Sequence, residues 1–285
     1  MEGLAAGLAK QRFSEAIESF REKNRRAALN EMNEALSGGL ADAACGLMLL
    51  KTFSARKEQY DEILRELGAN IVRLAEMPTM FEVSGYGIYL LARCYAYLGI
   101  KRERQLSSFL RTTFKVNIRN EPMEKASSLY MQCIARDSSF VDALFELGLV
   151  HEIGLNSTAI AIEAYEIVTE LNPDHILARG SLANLYNQTK QLEEAQEEAE
   201  HFVRLSPNAI SYGTLSEIYA RQKMTKEAWL AARAAKQLPD YREVRERFSS
   251  RMYLLSPETV APVPEPGEFQ RPIMQEPDLR AHLTR

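Results

Sequence analysis

Between residues 141 and 240 the chain writes the same pattern three times, and that period restricts its fold more than any other feature. The first copy begins VDALFELGLVHEIGLNSTAIAIEAYEIVTELNPD, the second reads ILARGSLANLYNQTKQLEEAQEEAEHFVRLSPN, and the third AISYGTLSEIYARQKMTKEAWLAARAAKQLPD. Leu182 and Leu215 lie 33 positions apart, as do Tyr186 and Tyr219, and Ala195 and Ala228. Pro173 and Pro207 lie 34 apart, and so do Ala161 and Ala195. Each copy reads as two helices. The first ends near Gly154, Lys190 or Lys223, and the second closes at Pro173, Pro207 or Pro239, where proline cannot continue a helix.

Close helix packing explains the spacing. Within each copy a small residue in the second helix (Ala161, Ala195, Ala228) lets the first helix approach, while Leu147, Leu182, Leu215, Tyr186 and Tyr219 fill the gap. One helix pair cannot bury that face alone, so stability comes from stacking on the next pair. This pattern resembles the tetratricopeptide repeat. Leu147-Gly148, His151, Ala161, Tyr165 and Pro173 carry the signature in the first copy, with His151 in place of the usual aromatic and one extra residue in the turn at Gly154 to Asn156. Leu182-Ala183, Tyr186, Ala195, Phe202 and Pro207 carry it in the second, and Leu215, Tyr219, Ala228, Ala232 and Ala235 in the third. The resemblance implies an all-α, right-handed solenoid of helical hairpins, with units at 141–175, 176–208 and 209–240.

Upstream the strict period fades while helical character persists. MEKASSLYMQCIARDSS places Ala126 and Tyr130 one period, 35 residues, before Ala161 and Tyr165. Ile88 to Gly99 reads as a first helix with RQLSSFLRTTFKV as its partner, so residues 88–140 form divergent repeat-like helices. Apolar residues recur at helical spacing from Phe13 to Leu36, Gly38-Gly39 stops that helix, and Leu40 to Phe53 begins another. Gly68, Pro78, Gly85 and Gly87 mark a looser connection over 68–87 and an internal boundary after N-terminal helices at 1–67. Only Asn70 to Leu74 offers a candidate strand, and a weak one. After the repeats, 241–255 reads as a capping helix, and 256–285, holding six of the eleven prolines, as a solvated tail.

Composition removes several function classes. With 35 Lys and Arg against 39 Asp and Glu, the formal charge is -4, which gives no blanket attraction to phosphate backbones. Two compact domains or one elongated array both fit the 285 residues. Cys45, Cys94 and Cys133 are far apart in apolar surroundings and read as buried, reduced thiols. No signal peptide or membrane span is legible, so the expected location is cytoplasmic, without membrane insertion. The histidines His151, His175, His201 and His282 never take zinc-helix spacing, and no phosphate loop or nucleophile elbow occurs. His201 pairs with Glu197 one turn away, and the carboxylate pairs Glu193-Glu194 and Glu197-Glu198 read as hydrated surface. The expectation is a chain with no enzymatic activity, no cofactor and no metal.

The resemblance places function on a concave wall lined by each unit's first helix. By helical spacing its side chains are Phe145, Leu149 and Glu152 in the first unit, Asn184, Asn187 and Gln188 in the second, and Glu217 and Arg221 in the third. Gly180 and Gly213 are expected to widen this groove. Amides both donate and accept, which suits an extended main chain or a helix terminus of a partner protein. Phe145, Leu149, Gly180 and Gly213 stand where a chaperone-type carboxylate clamp needs lysines and their partners, which argues against that subtype. A second resemblance, through GLADAACGLMLL, GYGIYLLARCYAYLG and LPDYREVRERFSSRMYLLSPE, is to the helical N-terminal domain of type VII secretion ATPases, which handles secreted substrates. The reading is a protein-binding adaptor or scaffold that avoids nucleic acid, with homo-oligomerisation open. An enzyme hidden in residues 1–120 is the rival class.

Overall fold

The computed structural model describes residues 2–76, 83–106 and 120–239. Among these are twelve α-helices and no strand. They are α1 (Glu2–Arg21), α2 (Arg25–Ser37), α3 (Asp42–Ser54), α4 (Tyr60–Glu76), α5 (Gly85–Leu106), α6 (Glu121–Arg136) and α7 (Val141–Leu149). There follow α8 (Thr158–Leu171), α9 (Ile176–Thr189), α10 (Leu192–Leu205), α11 (Ala209–Arg221) and α12 (Thr225–Gln237). The chain divides between Asn156 and Ser157 into two compact units, inside the first repeat. The expected capping helix at 241–255 and proline-rich tail at 256–285 lie outside the described residues, as does most of RQLSSFLRTTFKV.

Unit one opens with a hairpin that the periodicity hides. The single helix expected from Phe13 to Leu36 is broken: Lys23 turns left-handed at φ 64°, and the Asn24 side chain caps α2 by accepting from the Ala27 amide at 3.3 Å. Phe13, Ala16, Ile17 and Phe20 on α1 then bury against Ala28, Met32 and Ala35 on α2. Apolar spacing continues on both sides of the turn, which is why the break is silent in the pattern. The connection expected over 68–87 is also narrower, because α4 runs through Gly68 to Glu76 and takes Asn70 to Leu74 with it. Asp42, in the first turn of α3, fixes the start of α5 by accepting from the Ser84 amide at 2.8 Å and its hydroxyl at 2.5 Å. Gly87 is required there, since a Cβ would lie 2.4 Å from Asp42 Oδ1.

At the end of unit one the extra residue of the first repeat is absorbed without a loop. Val150–Leu155 continue α7 as a π-helical turn, closed by the Asn156 amide donating to the His151 carbonyl, with Asn156 left-handed at φ 52°. Unit two holds α8 and the hairpins α9–α10 and α11–α12. Their turns share one geometry with the first hairpin. Lys190 and Lys223 are left-handed at φ 67° and 65°, and the following amide reaches back to the carbonyl of Tyr186 or Tyr219 at 2.9 Å, as Asn24 does to Ser19 at 2.8 Å. Five residues beyond each left-handed residue stands a buried alanine: Ala28, Ala161, Ala195 and Ala228. The fold class is all-α, built from helical hairpins, as the repeats require.

Candidate partner-binding surface

On α9, Ala178, Leu182, Ala183, Leu185 and Tyr186 face the interior of unit two, and on α11 Leu215 and Ile218 do the same. That leaves Leu177, Asn184 and Gln188 on the outer side of α9, and Gly213, Glu217, Ala220 and Arg221 on that of α11. Asn187 sits between the two helices, only 3% exposed. Its Nδ2 donates to Glu217 Oε1 at 3.2 Å, while Arg221 donates from Nη1 to the Asn187 carbonyl at 2.9 Å and from Nη2 to Glu217 Oε1 at 3.3 Å. Three of the expected wall residues therefore form one cluster that ties consecutive first helices together. Asn187 Oδ1 is buried and accepts no hydrogen bond among the described residues. Such an acceptor is destabilising by about 1–3 kcal/mol while it stays unmatched. Asn184 instead closes on its own helix, donating to the Gly180 carbonyl at 2.9 Å, and Gln188 is exposed.

The remaining expectations fall elsewhere. Phe145 and Leu149 are 7% and 1% exposed, packed in the interior of unit one, and Glu152 is half-buried on the π-helical turn. The reason is local: every residue from Ala143 to Leu149 is buried, so α7 has no open face there. Gly180 does not widen a groove either. A Cβ at that position would lie 3.0–3.3 Å from the Phe202 ring, so the missing side chain admits a packed phenyl. Gly213 alone fits the expectation, with nothing within 4 Å of an added Cβ.

Two buried polar groups in unit one were not singled out as a site by spacing. Glu146 accepts from Arg93, from Tyr89 at 2.8 Å and from Tyr130 at 2.5 Å, with Arg93 fully buried and stacked over the Tyr89 ring. Burial pushes the Glu146 carboxyl up, against the pull of Arg93 and the hydroxyls. A lone charge in each of two apolar runs, IYLLARCYAYLG and ALFELGL, was the available signal. His151 is 5% exposed, its Nε2 lies 2.8 Å from the Ser127 hydroxyl, and burial lowers its pKa to about 4. The corresponding Tyr186 and Tyr219 likewise reach a preceding helix, donating to Glu166 and, at 3.0 Å, to Glu200. Cys45, Cys94 and Cys133 are buried free thiols, and burial holds Cys94 and Cys133 up at about 12, which makes them poor nucleophiles. Among the described residues no group of His, Cys, Asp and Glu is placed to hold a metal, and no helix is long and apolar enough to cross a membrane.

Residues 178–208 match the family model of the tetratricopeptide repeat, so α9 and α10 form such a repeat. Among solved structures, one from a functional characterisation of pilF of Pseudomonas aeruginosa superposes with a TM-score of 0.54 at 14% identity, over 85% of this chain and 99% of that one. A crystal structure of MamA gives a TM-score of 0.47 at 15% identity, over 67% of this chain and 93% of that one. No curated protein sequence matches this chain.

Proposed function

We propose that the chain is a non-enzymatic adaptor, and that the wall formed by α9 and α11 binds a helix or extended segment of a partner protein. The observation that carries this reading is the Asn187–Glu217–Arg221 cluster, which joins two first helices and leaves one amide acceptor unmatched among the described residues. Beside it, Asn184 and Gln188 supply amides, Gly213 leaves room for an incoming backbone, and Leu177 offers an apolar contact at 38% exposure. Such a surface combines main-chain hydrogen bonding with side-chain contacts, as peptide-binding grooves do. The shifted groups of unit one do not support chemistry: Glu146 is satisfied by three donors, His151 lies against a hydroxyl with no acid among the described residues orienting its Nδ1, and both are shut from solvent.

Because Asn187 is buried beside Glu217, a carboxylate placed there would damage the fold, and the test belongs on the outer positions. Asn184→Arg with Gln188→Arg is expected to abolish partner capture from the native host while circular dichroism and the melting temperature stay near wild type. Undiminished capture by that double variant contradicts the assigned wall. Turnover of any substrate in a broad hydrolase and nucleotidase screen, lost on changing one polar residue, contradicts the non-enzymatic reading.

A further inference from the structure

The last described helix carries a second surface, separate from the α9–α11 wall. At 100° per residue, α12 presents Ala228, Ala231 and Ala235 on one side, where all three are buried. The other side collects Lys226, Trp229, Leu230, Arg233, Lys236 and Gln237, all exposed. Trp229 is the only tryptophan of the chain and is 58% exposed; Leu230 is 50% exposed. The Arg233 guanidinium lies 5.4 Å from the centroid of the indole ring. Among the described residues of α12 no carboxylate shares this face, since Glu227 sits a quarter-turn from Lys226 and is half-buried.

We propose that this face docks an acidic, apolar-anchored segment of a partner protein, with Trp229 and Leu230 covering the apolar anchors and Lys226, Arg233 and Lys236 pairing with flanking carboxylates. Charge complementarity selects this occupant. Pairing of the face with itself in a second copy would set three cations against three cations. The exposed acids of α10, Glu193, Glu194 and Glu197, bring no large apolar side chain to fill the space beside the indole. A bilayer surface requires a broad apolar face to enter the acyl boundary, and α12 offers two large apolar residues hemmed by cations. Tryptophan and arginine at the centre of a patch are the side chains on which protein interfaces concentrate their binding energy.

Trp229 reports on its own site. The full chain is titrated with a synthetic acidic helix carrying Leu and Phe four residues apart among Asp and Glu, with the same peptide in which Asn and Gln replace the acids, and with vesicles of anionic phospholipid. The acidic peptide is expected to move the indole emission to the blue and to lower acrylamide quenching about twofold, as the ring leaves water. The neutral peptide is expected to give no shift, Arg233→Glu to abolish the response with unchanged circular dichroism, and added salt to weaken it severalfold. An unresponsive indole overturns the proposal, as does an equal response to the neutral peptide. So does an indole already shielded in the unliganded chain, a shift that follows protein concentration alone, or a response to vesicles without one to the peptide. Failure here leaves the Asn184 and Gln188 test untouched, because the two surfaces share no residue.

Discussion

His151 stands where the repeat ordinarily carries an aromatic ring, and its surroundings keep it neutral. Burial lowers its pKa to about 4 from 6.5, so as pH falls the unfolded chain takes up this proton first. Its contribution is therefore complete above pH ~6.5 and is lost between about 6.5 and 4, by roughly 3 kcal/mol at most. Glu146 acts in the opposite sense, since burial raises its carboxyl, so the informative quantity is the difference between wild type and His151→Phe across that window. Urea denaturation should show the wild type losing stability relative to the variant as pH falls; parallel curves would contradict a neutral buried ring. The buried Arg93–Glu146 ion pair makes a sharper demand. Glu146→Ala removes the carboxylate that Arg93, Tyr89 and Tyr130 share, and is expected to destabilise by about 3–5 kcal/mol, whereas Arg93→Met with Glu146→Leu should recover part of that loss. A double variant less stable than the single one would contradict this account. At this scale the sequence identified His151 and Tyr186 as interior positions, because the repeat sets their phase, while Tyr219, at the same place in the last repeat, is only half-buried. It did not place Arg93 opposite Glu146, because the two lie 53 residues apart and only the packed helices bring them together.

The hairpin is the element that the sequence revealed most clearly, and its turns show where legibility stops. Prolines and alanines recur in register, so the second and third units were readable from residues alone. The first hairpin has neither a closing proline nor a glycine at its turn: Lys23 supplies the left-handed residue and Asn24 the cap, and the apolar spacing runs on through both. Gly38 and Gly39, which do stop α2, were legible. Gly180 and Gly213 looked alike in sequence and differ in the fold. Gly213→Ala meets no atom within 4 Å and should raise stability by about 0.5–1 kcal/mol, the usual gain for replacing a mid-helix glycine. Gly180→Ala pushes into the Phe202 ring and should gain less or destabilise. Thermal melting of the two variants decides it, and an equal gain at both positions would contradict the packing described for α9 against α10.

On the scale of the whole chain, the three repeats form part of a longer succession of helices, and the division into compact units falls after Asn156 rather than at the edge of a repeat. Local periodicity has no access to that division, because it is set by which helices bury against which: α7 is buried in unit one from Ala143 to Leu149 despite carrying the first repeat's signature. Of the residues expected to line a groove, Phe145 and Leu149 are buried in unit one and Glu152 is half-buried there, while Asn184, Asn187, Gln188, Glu217 and Arg221 lie on α9 and α11 of unit two. The most direct test of the adaptor reading replaces Gln188, Glu217 and, separately, Glu194 on the outer side of α10 with a photo-crosslinking amino acid in the full chain, irradiated with the native host's proteins. Cross-links to one and the same partner segment from positions 188 and 217, with none from 194, are the predicted result; cross-links from 194 with silence at 188 and 217 would contradict it.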